Sequence, residues 1–537
     1  MIRKFLKKKT TPFFLCICIL TGLFGVLPGC ARDSSEPITF GGIANAVDDN
    51  YRNYYEIFVH SFYDTDGDGV GDLKGVTEKL DYVADLGCNG IWLMPIMPSP
   101  TYHKYDVINY KDVDPEYGTL DDFKELTKTA HEKGIRVIID FVINHSSSKH
   151  TWFKQACDYL KTLGENDAPD ESVCPYVGYY HFSKEKVNAT WYPVSGSDYF
   201  YEGQFWSEMP DLNLSNQALR QELMDTADLW IDAGVDGFRM DAPLHFEEGD
   251  SAYNCEVLSW LYEYCKGKNP DFYMVSEVWD SKGTIASYYE LSKTPSFFNF
   301  PASQTEGSII STVMGNMPAD KFMSVMAGYQ EDYGAGNPDF IDAPFITNHD
   351  QGRPCNILQS DPDALKFAGG LLSIMSGNPF IYYGEEVGMK SKGSKDENKR
   401  LAMNWSVTDK EGTPKDPKDA DKGIEQSFPG VKEQELDPDS ILTYYKRALY
   451  MRNSFPEIAR GEMEVLPPSS GMQAIMSKEY EGSKIYIAVN SGKKPKDFDI
   501  SSLGGLEVAY SLTLHGEEIQ YENGVLKMPE RSICILK

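Results

Sequence analysis

Eight short apolar runs spaced along the chain limit its fold more than any other feature. They are Ile57–Phe62, Gly90–Pro95, Val137–Ile143, Gly237–Met240, Tyr273–Val278, Phe297–Phe300, Phe345–Thr347 and Phe380–Tyr383. Many are rich in β-branched or aromatic residues and show no polar alternation, as strands buried on both faces must. Amphipathic stretches lie between most of them, among them Leu73–Leu86, Leu120–Lys133 and Gln217–Ala233. Buried strands joined by helical crossovers make parallel sheets, and eight of them predict an α/β fold, a (β/α)8 TIM barrel. An open doubly wound sheet is the alternative on pattern alone.

One connection is too long for a simple crossover. Roughly 90 residues separate the third and fourth runs, far above ordinary loop length. Of these, 146–208 are rich in Tyr, Trp and Gly with little helical periodicity, and are expected to form an excursion domain. The barrel itself would then comprise 51–145 and 209–455. After about Phe455 the pattern changes to short alternating runs, Gln473–Ser477, Lys484–Asn490, Ser511–Leu514 and Ser532–Leu536. These predict a C-terminal antiparallel β-sandwich over 456–537.

The first 29 residues hold five basic residues (Arg3, Lys4, Lys7, Lys8, Lys9) and no acid, then an apolar stretch from Pro12 to Leu27. That is the layout of an export signal. Leu27-Pro28-Gly29-Cys30 resembles a bacterial lipobox, which predicts lipidation at Cys30, with 30–50 as a polar tether to a membrane. An ordinary cleaved signal with an incidental Cys is the alternative. The whole chain carries a net charge of −30, and the remainder is more acidic still. Such a body repels phosphate backbones, so nucleic acid is not an expected partner. Ten cysteines are present; none shares zinc spacing with His, and Cys157 and Cys174 are the candidate disulfide pair.

Three of the runs end in a carboxylate. Asp241 closes Gly237-Phe238-Arg239-Met240-Asp241, Glu277 closes Met274-Val275-Ser276-Glu277, and Asp350 closes Phe345-Ile346-Thr347-Asn348-His349-Asp350. In a parallel barrel those tips converge on one face, where reacting groups sit. Arg239, two residues before Asp241, shares its strand face and is expected to keep it ionised. Apolar neighbours are expected to raise Glu277, as an acid catalyst requires. Asp350 beside His349 could bind sugar hydroxyls more tightly as positive charge develops. Two carboxyls of opposite role plus a third acid suit acetal hydrolysis. Alone, an acid at a strand end is more often an ion pair or helix cap.

Taken together the motifs are more specific. Asp140-Phe141-Val142-Ile143-Asn144-His145, Gly237 to His245, Ser276-Glu277-Val278-Trp279 and Thr347-Asn348-His349-Asp350 resemble, in order, the four signatures of the α-amylase family of glycoside hydrolases. Met209-Pro210-Asp211-Leu212-Asn213 resembles that family's motif at the end of its excursion domain. The resemblance implies Asp241 as nucleophile, Glu277 as acid/base and Asp350 as transition-state stabiliser. It implies Tyr105 as the aromatic stacking on the sugar, with His145, Arg239, His245, His349 and Arg353 as polar substrate contacts. Ser276 stands where Gly is common, and Leu244 replaces a frequent Lys. Asp64-Thr65-Asp66-Gly67-Asp68-Gly69-Val70-Gly71-Asp72 offers alternating carboxylates for a hard cation. It begins like an EF-hand loop, but Gly75 stands where that loop needs Glu. In this family such loops hold structural Ca²⁺, which implies Asp64, Asp66, Asp68, Asp72 and the Val70 carbonyl as ligands; a metal-free turn is the alternative.

Specificity is harder to read. Glucose-releasing relatives commonly place Asp-Asn-Gly before the stacking Tyr, whereas this chain has Tyr102-His103-Lys104. Relatives favouring α-1,6 bonds often carry Val after the nucleophile, where Ala242 stands. Against this, Arg400-Leu401-Ala402-Met403-Asn404-Trp405 resembles a stretch frequent in α-glucosidases. The expectation is a monomeric, exported, membrane-tethered, endo-acting α-1,4-glucan hydrolase. An exo-acting α-glucosidase or α-1,6-active enzyme is the first alternative, and a non-catalytic glycan-binding lipoprotein the second.

Overall fold

The computed structural model describes residues 37–39, 47 and 49–537. The predicted signal, Cys30 and most of the tether lie outside the described residues. Seven parallel strands form the central sheet: β1 (Tyr54–Ile57), β2 (Gly90–Leu93), β3 (Arg136–Phe141), β4 (Gly237–Met240), β5 (Tyr273–Ser276), β6 (Ser296–Phe297) and β7 (Phe380–Tyr382). Their order is β7-β1-β2-β3-β4-β5-β6. The segment around 343–345 fills the remaining place: Ala343 bridges to Phe298 and Phe345 to Phe380, both in parallel. The sheet is thereby closed, as the eight runs predict, with the eighth element reduced to single bridges.

Apolar continuity located the strands well but not their ends. The first strand lies three residues earlier than expected, and Val59–Ser61 is a 3-10 turn. The whole stretch from Tyr54 to Phe62 is buried or nearly so, so hydrophobicity could not mark where extension stops. Phe62 is held over the barrel end by Trp405, with rings 5.1 Å apart and Trp405 Nε1 donating to the Phe62 carbonyl. Between β4 and β5, glycine permits a close approach. A Cβ at Gly237 would fall 2.0 Å from the Tyr273 carbonyl oxygen.

The helices follow from local chemistry. In Leu120–Glu132, Phe123, Leu126, Thr127 and Ala130 are buried, the i, i+3, i+4, i+7 stripe of a core-facing helix. Thr119 and Asp122 close a reciprocal capping box at its start. Asn216 caps Gln217–Asp232 by accepting from the Ala218 and Leu219 amides. The expected helix Leu73–Leu86 is two, Leu73–Glu78 and Leu80–Leu86, meeting at Lys79.

The long third connection carries a helix (Thr151–Leu160) and a three-stranded antiparallel sheet, Phe182–Ser183, Trp191–Pro193 and Phe200–Glu202. It is tied back to the barrel by antiparallel bridges His145↔Asp211 and Tyr180↔Leu212. After the barrel come a five-stranded and a three-stranded antiparallel sheet. Between them lies an apolar cluster including Ile475, Phe498, Ile500, Leu526 and Leu536. Four of these strands, Glu462–Ser470, Lys496–Asp499, Gln520–Glu522 and Val525–Met528, escape the sequence pattern because much of their surface is exposed. The seven cysteines among the described residues are all free thiols. Cys157 and Cys174 are therefore not paired; Cys174 Sγ instead meets the Gln155 carbonyl at 3.8 Å.

Candidate active site

The three acids do converge. Asp241, Glu277 and Asp350 all line a cavity of about 400 Å³ at the strand tips. Tyr105, His145 and His245 line it too, with His103, Phe205, Trp206, Trp279 and Arg400. Trp279 is about half exposed and stacks on Phe300 at 4.9 Å. Phe205 meets His145 and His245 at 5.3 and 5.1 Å. Of the excursion-domain aromatics, Phe205 and Trp206 reach the cleft, while Trp191, Tyr199 and Tyr201 are buried in packing.

Arg239 organises one wall. Its guanidinium is almost fully buried and has three carboxylate partners. Nη1 donates to Asp140 Oδ1 and Asp241 Oδ1, each at 2.6 Å, and Nη2 lies 2.8 Å from Glu277 Oε1. Trp92 Nε1 and the Tyr105 hydroxyl donate to the other oxygen of Asp140. Burial pushes the Glu277 carboxyl up to about 7, against the pull of Arg239, and the nearby Asp241 and Asp350 add to the rise. Burial likewise lifts Asp140 to about 6, again opposed by Arg239. Ala242, next to Asp241, sits at φ 50° and ψ 44°. That left-handed conformation costs a non-glycine residue about 1–3 kcal/mol and is typically stored at functional sites.

His349 and Arg400 organise the opposite wall. His349 Nε2 is 3.0 Å from Asp350 Oδ2 and 2.7 Å from the Tyr105 hydroxyl. Arg400 Nη2 donates to Asp350 Oδ1 at 2.7 Å, its Nε to the His349 carbonyl, and its Nη1 to the Tyr102 hydroxyl at 3.1 Å. Burial alone would raise Asp350, but His349, with Arg400 and Arg239 behind it, outweighs burial and holds the carboxyl well below the usual range. Burial lowers His145 and brings His103 down to about 4. His145 Nε2 is buried without a protein partner, although its ring lines the cleft.

Arg353 does not face this cleft. It is fully buried, its Nη1 donates to the Tyr383 carbonyl at 2.6 Å and its Nε to the Lys399 carbonyl, and it lies against the Tyr382 ring. Three residues beyond Asp350 it opens a short helix (Pro354–Ile357) and turns inward. Arg400, from the loop after the last barrel strand, occupies the place beside Asp350. Sequence proximity to the acid favoured Arg353; only the fold brings Arg400 across 50 positions.

The Asp-rich loop follows β1. Asp64, Asp66 and Asp72 each offer an oxygen within 4.8 Å of the others. None of the three makes an ion pair among the described residues. An all-carboxylate oxygen set of this kind fits a hard cation such as Ca²⁺. Asp68 is not part of the group; like Asp66 it is exposed, and its Oδ1 accepts from the Val70 amide. Gly67 and Gly69, at φ 82° and 100°, turn the chain so that Asp68 points outward. Asp72 also caps the following helix through the Gly75 amide.

Comparison with known proteins agrees with this arrangement. Residues 56–461 match the family model for the alpha amylase catalytic domain. Alpha-amylase 3 of Dictyoglomus thermophilum is 36% identical over 517 residues, covering 93% of each chain. The structure of Amy13B from Eubacterium rectale superposes with a TM-score of 0.88 at 42% identity, covering 94% of this chain and 97% of that one. The alpha-amylase from H. orenii gives 0.79 at 34% identity, covering 91% and 99%. With the convergent acids and the closed barrel, these matches make the chain a member of the alpha-amylase family, a glycoside hydrolase.

Proposed function

We propose that the protein is a retaining, endo-acting α-1,4-glucan hydrolase that cuts starch-like chains. The observation that carries this reading is the pair Asp241 and Glu277, held side by side at the cleft on adjacent nitrogens of one guanidinium. Asp241 would attack the anomeric carbon while Glu277, raised by burial, gives its proton to the departing glycosidic oxygen. Glu277, now ionised, would take a proton from water, whose oxygen attacks the glycosyl–Asp241 ester and frees the carboxylate. Asp350, kept ionised between His349 and Arg400, would bind sugar hydroxyls and gain strength as the oxocarbenium ion forms. The unpartnered His145 Nε2 would accept or donate one hydrogen bond to sugar, and Tyr105 would stack on it.

A single observation favours the second reading, an exo-acting or α-1,6-active enzyme. Arg400 bridges Tyr102 and Asp350, walling the cleft on that side. Early products from long amylose decide the matter. A spread of maltooligosaccharides is expected; glucose alone would mean a closed pocket. No cleavage of either α-1,4 or α-1,6 chains would favour a glycan-binding lipoprotein.

Two further elements belong to this proposal. A Ca²⁺ ion held by Asp64, Asp66 and Asp72 would neutralise their mutual repulsion and stiffen the loop. Export and lipid anchoring at Cys30 would hold a monomeric enzyme at a membrane surface; labelling of wild type but not Cys30→Ala by a fatty-acid analogue tests it.

A further inference from the structure

His349 faces two carboxylates. On the cleft side its Nε2 meets Asp350; on the far side its Nδ1 lies 2.6 Å from Glu56 Oε1. Glu56 is in the middle of β1 and 1% exposed, and His349 is fully buried. A buried carboxylate carries a large desolvation penalty, which a barrel strand would ordinarily avoid by using an apolar residue. Neither the family signatures nor the cleft lining includes Glu56, because it never touches the cavity.

The geometry dictates what it does. A neutral imidazole has one N–H and one lone pair. A neutral ring that gives its Nδ1–H to Glu56 can accept from the Tyr105 hydroxyl at Nε2, but it then sets a lone pair and no charge beside Asp350. Only the imidazolium carries an N–H on both sides and a charge between the two carboxylates. We propose that Glu56 is a positioning residue that keeps both ring nitrogens of His349 protonated, so that the imidazolium charge stays against Asp350 through the catalytic cycle. This rests on the role given to Asp350 above.

The surrounding charges agree. Facing His349 are Glu56 from β1, Tyr105 from the loop after β2, Asp350 on its own segment and Arg400 at its carbonyl. Trp92 from β2 adds only a ring edge at 5.6 Å. Beyond Tyr105 stand Asp140 and Arg239, and Glu277 also feels the His349 charge. Behind Glu56 lie Tyr382, Arg353 and Glu385. Burial disfavours a charged ring, yet the two carboxylates outweigh it and push His349 to about 10. In the protonated ring the single Nε2–H is shared between Asp350 and the Tyr105 hydroxyl, which donates in turn to Asp140.

Glu56→Gln separates charge from shape, because the amide oxygen can still accept from Nδ1. Histidine labelled with ¹⁵N, assigned through His349→Asn, reports both ring nitrogens directly. In the wild-type protein both are expected protonated at pH 8. In Glu56→Gln one is expected to lose its proton by pH 8. The variant's kcat should then fall by about tenfold or more at pH 8, recover to within about threefold of wild type at pH 5, and leave KM nearly unchanged. A uniform loss at every pH, or a wild-type profile, would overturn the proposal. Should Glu56→Gln not fold, the wild-type spectrum decides alone: a His349 that is neutral at pH 8 refutes the idea. A normal His349 titration with intact activity in Glu56→Gln would refute it without touching the assignment of Asp350, which Asp350→Asn tests separately.

Discussion

Two groups of acids lie in or just after barrel strands, and the protein treats them differently. Around the cleft, Asp140, Asp241 and Glu277 share Arg239, Asp350 and Glu56 share His349, and Asp350 also pairs with Arg400. Every one of those carboxylates has a cation built into the chain. After β1, Asp64, Asp66 and Asp72 stand together with none. The first group is organised by side chains and is complete as folded. The second is held by backbone amides and the Thr65 hydroxyl, and under the reading proposed above a cation from outside supplies its positive charge. Within the first group burial raises Glu277 while His349 holds Asp350 low, a division of protonation states that catalysis needs; a cation from outside would give only rigidity.

The sharpest way to break the first group is to remove its proposed nucleophile. Asp241→Asn is expected to lower kcat by at least about 100-fold while glucan binding persists; residual turnover above a hundredth of wild type would reject that role. Next comes Arg239→Met, which strands three buried carboxylates. Breaking a buried pair typically costs about 3–5 kcal/mol, and urea unfolding should register that loss. The second group should respond to chelation. If free Ca²⁺ at a hundredfold excess over Kd is removed, stability should fall by about 2.7 kcal/mol, seen as a lower Tm; an unchanged melting curve would count against a bound ion. The cleft should meanwhile show its own titration. Glu277 must carry its proton to act as acid, and burial sets its pKa at about 7, so kcat/KM should decline by about tenfold per pH unit above that value. Asp350, held low, should add no acidic limb in the working range. The smallest effect is expected from Asp68→Asn, within about 0.5 kcal/mol, in contrast to Asp66→Asn, which should abolish the chelator response.

The contrast also explains what could be read from residues alone. Asp241, Glu277 and Asp350 were legible because each closes an apolar run and stands near a telling neighbour. Glu56 was not, since it stands just before the first apolar run and looks like a strand flank until His349 arrives from 293 positions away. Arg353 and Arg400 show the same limit: nearness in sequence suggested one, and topology delivered the other. In the Asp-rich loop, alternation implied that Asp68 joins its neighbours, whereas two glycines at positive φ rotate it into solvent. The barrel was legible in its strand count and order but not in its strand ends, where burial continues past the hydrogen-bonded ladder.

The Asp-rich loop has one more attachment. The Asp64 amide donates to the Gly412 carbonyl, the Lys415 amide donates to Gly69, and Lys415 Nζ donates to the Asp68 carbonyl. A side chain at Gly69 would collide with that lysine. The segment 412–415 follows the last barrel strand, and β1, which leads into the loop, is that strand's partner. The loop is thus a buckle across the seam where the first and last strands of the ring meet. A ring opens where its ends join, so slackening this buckle should speed the first step of unfolding and expose the β1–β7 amides to hydrogen exchange before the rest of the barrel gives way.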